Sequence, residues 1–154
     1  MLYLPLLLRL VLAQPALRAG TPAPPVVVQR LGGKEERVAL RGHRHLLVFF
    51  ASWCRSCPPY LSYLTRSAAV RRAGVEVVPI DLLPSELPGD VGRLWRRLGE
   101  PAPLYLDRYG EVADAYQVAD LPTVVLVGKD GRIVGALAGV SSKKAVERLL
   151  RAHA

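Results

Sequence analysis

The sequence predicts a single three-layer α/β domain built on a mixed central sheet. Three observations carry that expectation. The chain has 154 residues, which fits one compact domain. Two strongly apolar runs, residues 45–51 and 75–81, are separated by a helix-length amphipathic stretch, the order of a parallel crossover unit. Later, two further strand-like runs flank Lys129-Asp130-Gly131-Arg132, the mark of an antiparallel hairpin. The crossovers demand helices on both faces of the sheet, and the hairpin adds antiparallel edge strands.

The elements follow in order. Residues 2–13, LYLPLLLRLVLA, are apolar except for Arg9, and QPALRAG follows with small residues at cleavage-like spacing. A spanning helix needs about 20 apolar residues, so residues 1–19 read as a secretory signal or, alternatively, a short N-terminal anchor. GTPAPP, residues 20–25, reads as a stiff proline-rich linker. The domain then runs over residues 26–154. Residues 26–29 are β-branched and strand-like, residues 31–34 form a turn, and residues 38–40 return as a short strand. Residues 45–51 have the continuous apolar character of a strand buried on both faces. A helix is expected over 57–73, with Tyr60, Leu61, Leu64 and Ala68 on one face and Gly74 at its end.

Residues 75–81 form a second core strand, and residues 82–88 a loop. A short helix is expected over 91–98 with Leu94, Trp95 and Leu98 inward, then a strand over 104–107 and helical structure around 112–116. Thr123-Val124-Val125-Leu126-Val127 is a strand, and the Asp130-Gly131 pair supplies the positive-φ positions of the hairpin turn. Residues 133–138 pair back against it, and Ser141 and Ser142 cap a final helix with Val146, Leu149 and Leu150 inward.

Composition narrows the function classes. Hydrophobic residues are 51% and charged residues 22%, which excludes wholesale disorder. Two cysteines cannot staple a disulfide-rich miniprotein or complete a four-thiolate zinc site. The net charge is +8, and seventeen of the 21 basic residues are arginine. Charge of that sign suits nucleic acid, but the arginines are scattered along the chain and no nucleic-acid-binding signature accompanies them. They read as solvated helix faces, with no nucleic-acid partner.

The chemistry lies in Trp53-Cys54-Arg55-Ser56-Cys57-Pro58. Two residues between the cysteines allow a disulfide within one helical turn. The pair stands where a buried strand ends and a helix begins, where unpaired backbone N–H groups and the positive helix end favour an anion. Such a setting lowers a thiol pKa from about 8.5 to roughly 3.5–7.5. Cys54 is then the attacking thiolate, and Cys57, one turn further in, resolves the mixed disulfide. Two other readings stay open: a structural disulfide, although so short a loop removes little unfolded-state entropy, and a metal site recruiting His43 or His45, which lie at the far end of the strand.

Leu121-Pro122-Thr123 precedes a core strand. By itself this reads as a strand-initiating trans proline.

Phe49-Phe50-Ala51-Ser52-Trp53-Cys54-x-x-Cys57-Pro58 resembles the active-site run of the thioredoxin superfamily, and its TlpA-like branch in particular. Leu121-Pro122-Thr123 with Lys129-Asp130-Gly131-Arg132-Ile133-Val134 resembles that branch's second motif, and residues 106–116 the stretch before it. Cys54 and Pro122 are 68 positions apart. That excess over thioredoxin resembles the branch's extra helix and strand, here roughly residues 84–106. The likeness covers about residues 26–152 and implies a thioredoxin-like three-layer sandwich with a helix-plus-strand insert.

The resemblance also implies roles. Pro122 would be cis and lie against the disulfide. Leu121 would offer its backbone to a substrate in strand-like pairing, beside substrate contacts from Trp53 and Pro58. A carboxylate of the insert, with Glu86 the candidate, would tune proton transfer near the thiols; read alone, Glu86 is equally an exposed loop acid. The sequence departs from the pattern at three places. Ser56 stands where many relatives have proline, Val48 where thioredoxin keeps a buried aspartate, and Pro59 follows Pro58 in the helix's first turn.

The expected function is therefore extracytoplasmic thiol–disulfide exchange, needing no cofactor and no metal. By resemblance the direction leans to a monomeric reductase of disulfides in exported proteins, recharged by a membrane electron donor, with cytochrome c maturation as one task. A disulfide-forming oxidant is the alternative. A peroxidase is disfavoured by Ala51 at the position that would need Thr or Ser, and copper delivery by the lack of a late histidine other than His153.

Overall fold

The structure is a computed structural model and describes residues 17–152. The apolar run of residues 2–13, read above as a signal or anchor, lies outside the described residues. Among the described residues, no helix is long and apolar enough to cross a membrane.

Seven strands form one sheet: β1 (Val26–Arg30), β2 (Glu35–Val38), β3 (Arg44–Phe50), β4 (Val75–Asp81), β5 (Tyr105–Leu106), β6 (Thr123–Val127) and β7 (Ile133–Ala138). Their spatial order is β2-β1-β5-β4-β3-β6-β7. β4 lies parallel to both β3 and β5, and the remaining pairs are antiparallel. This is the mixed sheet that crossover units followed by a hairpin require. The helices are α1 (Cys57–Arg66), α2 (Ala68–Arg72), α3 (Pro88–Arg97), α4 (Glu111–Ala115) and α5 (Lys143–Arg151).

β3 is central, so all seven of its residues are buried. The pleat divides them between two cores. Leu46, Val48 and Phe50 join Leu61 and Leu64 of α1, Trp95 of α3 and Leu150 of α5 on one face. Leu47 and Phe49 join Val112 and Ala113 of α4 and Tyr116 on the other. Phe50 stacks on Trp95 at 5.9 Å between ring centroids, and Phe49 tilts against Tyr116 at 5.5 Å. The Tyr116 hydroxyl donates to the Pro24 carbonyl at 2.7 Å, and Ala23 N–H to the Gly131 carbonyl at 2.9 Å. The proline-rich stretch, read above as a linker, is thus hydrogen-bonded along the domain.

Several boundaries differ from expectation. β2 occupies residues 35–38 and not 38–40, pairing Val26 with Val38 and Gln29 with Glu35. The single helix expected over 57–73 is two. Ser67 is extended there (φ −61°, ψ 131°), and its hydroxyl accepts from Ala69 N–H to cap α2. α3 starts at Pro88, because a proline needs no N–H partner in a first turn. In the hairpin turn only Gly131 has positive φ, +75°; the Asp130 carboxylate instead accepts from Arg132 N–H at 3.0 Å.

Candidate active site

Past the end of β3 the chain makes two consecutive turns. Cys54 N–H donates to the Ala51 carbonyl at 3.2 Å, and Cys57 N–H to the Cys54 carbonyl at 3.1 Å. Cys54 and Cys57 form a disulfide with Cα atoms 5.4 Å apart. Cys54 is 7% exposed and Cys57 fully buried, so only the first sulfur is open to a partner.

Ser56 is the N-cap of α1 but makes no side-chain capping bond. Its hydroxyl turns instead to Cys54, with Oγ 3.5 Å from Sγ. Pro58 and Pro59 follow within the first turn and carry no N–H. A helix start normally presents several unpaired amides; here two positions have none, and the Cys57 amide is taken by the Cys54 carbonyl. The amide contribution expected from the sequence is therefore thin, and the Ser56 hydroxyl supplies a donor in its place.

β6 brings up the opposite wall. The Leu121–Pro122 peptide bond is cis. β3 and β6 pair Phe49 with Thr123, and continuing that register sets Pro122 beside Phe50, next to the cysteine loop. Pro122 is buried and Leu121 half-buried. Trp53 is 59% exposed, with its indole N–H donating to Ser85 Oγ at 3.0 Å. Leu87, two residues beyond Ser85, is also strongly exposed. This end of the molecule therefore shows large apolar side chains to solvent. Pro58 is half-buried at the start of α1.

Glu86 reaches the same loop. Its Oε1 accepts from Ser52 N–H at 2.6 Å, and its Oε2 accepts from the Ser52 hydroxyl. Both carboxylate oxygens thus clamp the residue two positions before Cys54. Next to Glu86 lies Asp81, the last residue of β4, with no exposed surface. It pairs in register with Phe50, so it shares the sheet face that carries Cys57. No N–H or hydroxyl group among the described residues donates to either Asp81 oxygen. Burial first, then the Glu86 carboxylate and the Asp107 carboxylate, push the Asp81 pKa up to about 9. Asp81 is therefore protonated at neutral pH. Asp107 is occupied elsewhere, accepting from Val112 N–H at 3.3 Å and Ala113 N–H at 2.7 Å at the start of α4.

A family model described as Redoxin matches residues 18–150. The chain belongs to the Redoxin family. It is 31% identical over 137 residues to the thiol-disulfide oxidoreductase ResA of Geobacillus kaustophilus, covering 88% of this chain and 78% of that protein. Among solved structures it is similar to a thiol:disulfide interchange protein of the thioredoxin family from Chlorobium tepidum, with TM-score 0.70, 23% identity, and coverage of 87% of this chain and 95% of the other. It is also similar to a secreted Mycobacterium tuberculosis disulfide oxidoreductase, with TM-score 0.68, 19% identity, and coverage of 81% and 93%. This redoxin is a thiol–disulfide oxidoreductase of the thioredoxin superfamily, in its TlpA-like branch, with the thioredoxin-like sandwich as its fold.

Of the residues singled out in the sequence, Cys54, Cys57, Trp53, Pro58, Leu121, Pro122 and Glu86 all lie at the same end of this redoxin's sheet. Asp81 was not among them. Its signal was an aspartate closing the otherwise apolar end of β4, in register with the strand that leads to the cysteines. His45 is at the other end of β3, buried, with Nε2 3.5 Å from Glu76.

Proposed function

We propose that this redoxin reduces disulfides of exported proteins, apocytochrome c among them, and that a membrane-bound dithiol returns it to the reduced state. The observation that carries the reading is the contrast between Cys54, which keeps a small exposed surface and is faced by the Ser56 hydroxyl, and a Cys57 with none, in one disulfide. In the reduced protein the Cys54 thiolate attacks a substrate sulfur. The substrate S–S bond breaks, a mixed disulfide forms, and the first substrate thiolate leaves and takes a proton. Cys57 then gives up its proton and attacks Cys54 Sγ. The second substrate thiol is released, and the Cys54–Cys57 disulfide seen here is the product. The substrate gains two electrons and two protons; the protein loses two electrons and the Cys57 proton, and the second proton comes from solvent because Cys54 reacts as the thiolate.

Leu121 and Pro122 offer an extended backbone edge to the substrate, and Trp53 and Pro58 its apolar contacts. Glu86 holds the cysteine loop through Ser52, and beside it the protonated Asp81 carboxyl is placed to give a proton to a leaving thiolate. Export is supported by the apolar run of residues 2–13, followed by small residues.

The test is equilibration of the purified protein in glutathione buffers of graded composition. A reduction potential near thioredoxin's, about −270 mV, is expected. A value near about −120 mV, that of a strong oxidant, makes the protein a disulfide donor and overturns the reading.

A further inference from the structure

At the end of the sheet opposite the disulfide, the β6–β7 turn, the end of α2 and the end of α5 enclose an open groove of about 930 Å³. Its lining carries Arg44, Arg72, Lys129, Arg132 and Arg151. Among the described residues two carboxylates share it, and both are engaged: Asp130 accepts from Arg132 N–H at 3.0 Å, and Glu147 faces Arg151 at 3.9 Å. The described lining of the groove therefore holds an excess of positive charge.

Arg44 forms its base and is only 7% exposed. Its guanidinium donates to the carbonyls of Ala73 at 3.1 Å and Leu150 at 2.7 Å, where α2 and α5 end. The negative ends of those helices are thus already matched to Arg44. The exposed side chains of Arg72 and Lys129 have no hydrogen-bond or ion-pair partner among the described residues.

Three features select the occupant. The groove is open and broad, suited to a surface and not to one small anion. Gly20 lines it, and the Gly20 carbonyl accepts from Arg132 Nη1 at 2.8 Å. The chain therefore reaches the domain at the groove's rim, past the exposed Arg18, from the apolar residues 2–13. Finally, β3 starts at Arg44 and ends beside the cysteine loop, so about 20 Å of strand separates groove from disulfide.

We propose that this groove seats the phosphate-bearing headgroups of anionic lipids and so holds the domain on a membrane with its disulfide facing outward. The proposal shares with the functional reading only the expectation that residues 2–13 meet a membrane. An apolar segment and a basic patch are the two signals that together give stable membrane attachment.

The experiment uses the full chain and two kinds of vesicle, one of phosphatidylcholine alone and one with about one-third phosphatidylglycerol. The wild type is expected to bind the anionic vesicles at least tenfold more tightly, a preference that fades as salt is raised. The triple variant Arg72→Glu/Lys129→Glu/Arg151→Glu is expected to lose that preference. It should keep its binding to phosphatidylcholine and its reductase activity on a soluble disulfide. If the triple variant does not fold, Lys129→Gln alone is expected to weaken the preference roughly fivefold.

Equal binding of wild type to both vesicles, or an unchanged preference in a folded variant, overturns the proposal. Complete displacement by millimolar inorganic phosphate also overturns it, by making the groove a free-anion site. Brominated lipids give the orientation: Trp53 emission stays unquenched if the disulfide faces away, and strong quenching overturns the proposed geometry. Failure of wild type to bind phosphatidylcholine, with the anionic preference intact, would count against an apolar anchor and leave the groove supported.

Discussion

In the proposed mechanism the reactivity of Cys54 rests on a small number of neighbours. The two prolines of the first turn of α1 remove amides that a helix start would otherwise aim at a thiolate, while the Ser56 hydroxyl lies 3.5 Å from the sulfur. A donor to a thiolate stabilises the reduced form. Ser56→Ala is therefore expected to raise the Cys54 pKa and make the protein more reducing, by about 30 mV for a bond worth about 1.4 kcal/mol. Alkylation rate against pH and glutathione equilibration measure the two effects. The buried Cys57 plays a separate part. With Cys57→Ser the first exchange still occurs and the second cannot, so mixed disulfides with substrate are expected to accumulate and turnover to stop. Gel shifts under non-reducing conditions read this directly, and full turnover in that variant would defeat the two-thiol mechanism.

The elements differ in how legible they were, for physical reasons. β3, β4 and β6 are buried along much or all of their length, so their apolar runs mark them in the sequence. β2 is an edge strand whose four residues alternate between exposed and half-buried, and Glu35-Glu36-Arg37-Val38 accordingly carries no apolar signal. The break between α1 and α2 was hidden because Ala68 continues the helical spacing of Leu61 and Leu64 in the sequence; after the interruption at Ser67 it is exposed, and Val70 faces the core in its place. Caps were legible where a serine stood before an apolar pattern. Ser142 accepts from Ala145 N–H at 3.1 Å at the start of α5. Ser142→Ala leaves that amide without its partner and is expected to cost about 1 kcal/mol. For a domain of this size that lowers the melting temperature by roughly 2–4 °C, which thermal denaturation reads.

At the scale of the whole molecule, the sheet brings together what the chain separates. Val48 leaves the cysteine-side face of β3 without an acid, and β4 restores one to that face through Asp81. Nothing in a linear reading says which way the last residue of β4 points, or that Glu86 will fold back against it. The cost of this arrangement falls on global stability. Asp81 has an ordinary pKa of 3.8 when unfolded and about 9 when folded. Between those values the folded chain binds one proton more than the unfolded chain, so raising the pH favours unfolding. The stabilising difference is complete below about 4 and is lost progressively up to about 9. Each pH unit in that window removes at most about 1.4 kcal/mol, or roughly 3–5 °C of melting temperature. Asp81→Asn keeps the shape and a neutral hydrogen-bonding group but cannot ionise. Its melting temperature is expected to match the wild type's near pH 4 and to exceed it increasingly toward pH 8.5. Taking the difference between the two curves cancels His45, whose pKa burial lowers and which therefore acts in the opposite sense at acid pH. Parallel curves across that range would mean that Asp81 is ionised in the folded protein, and would remove the protonated acid from the site.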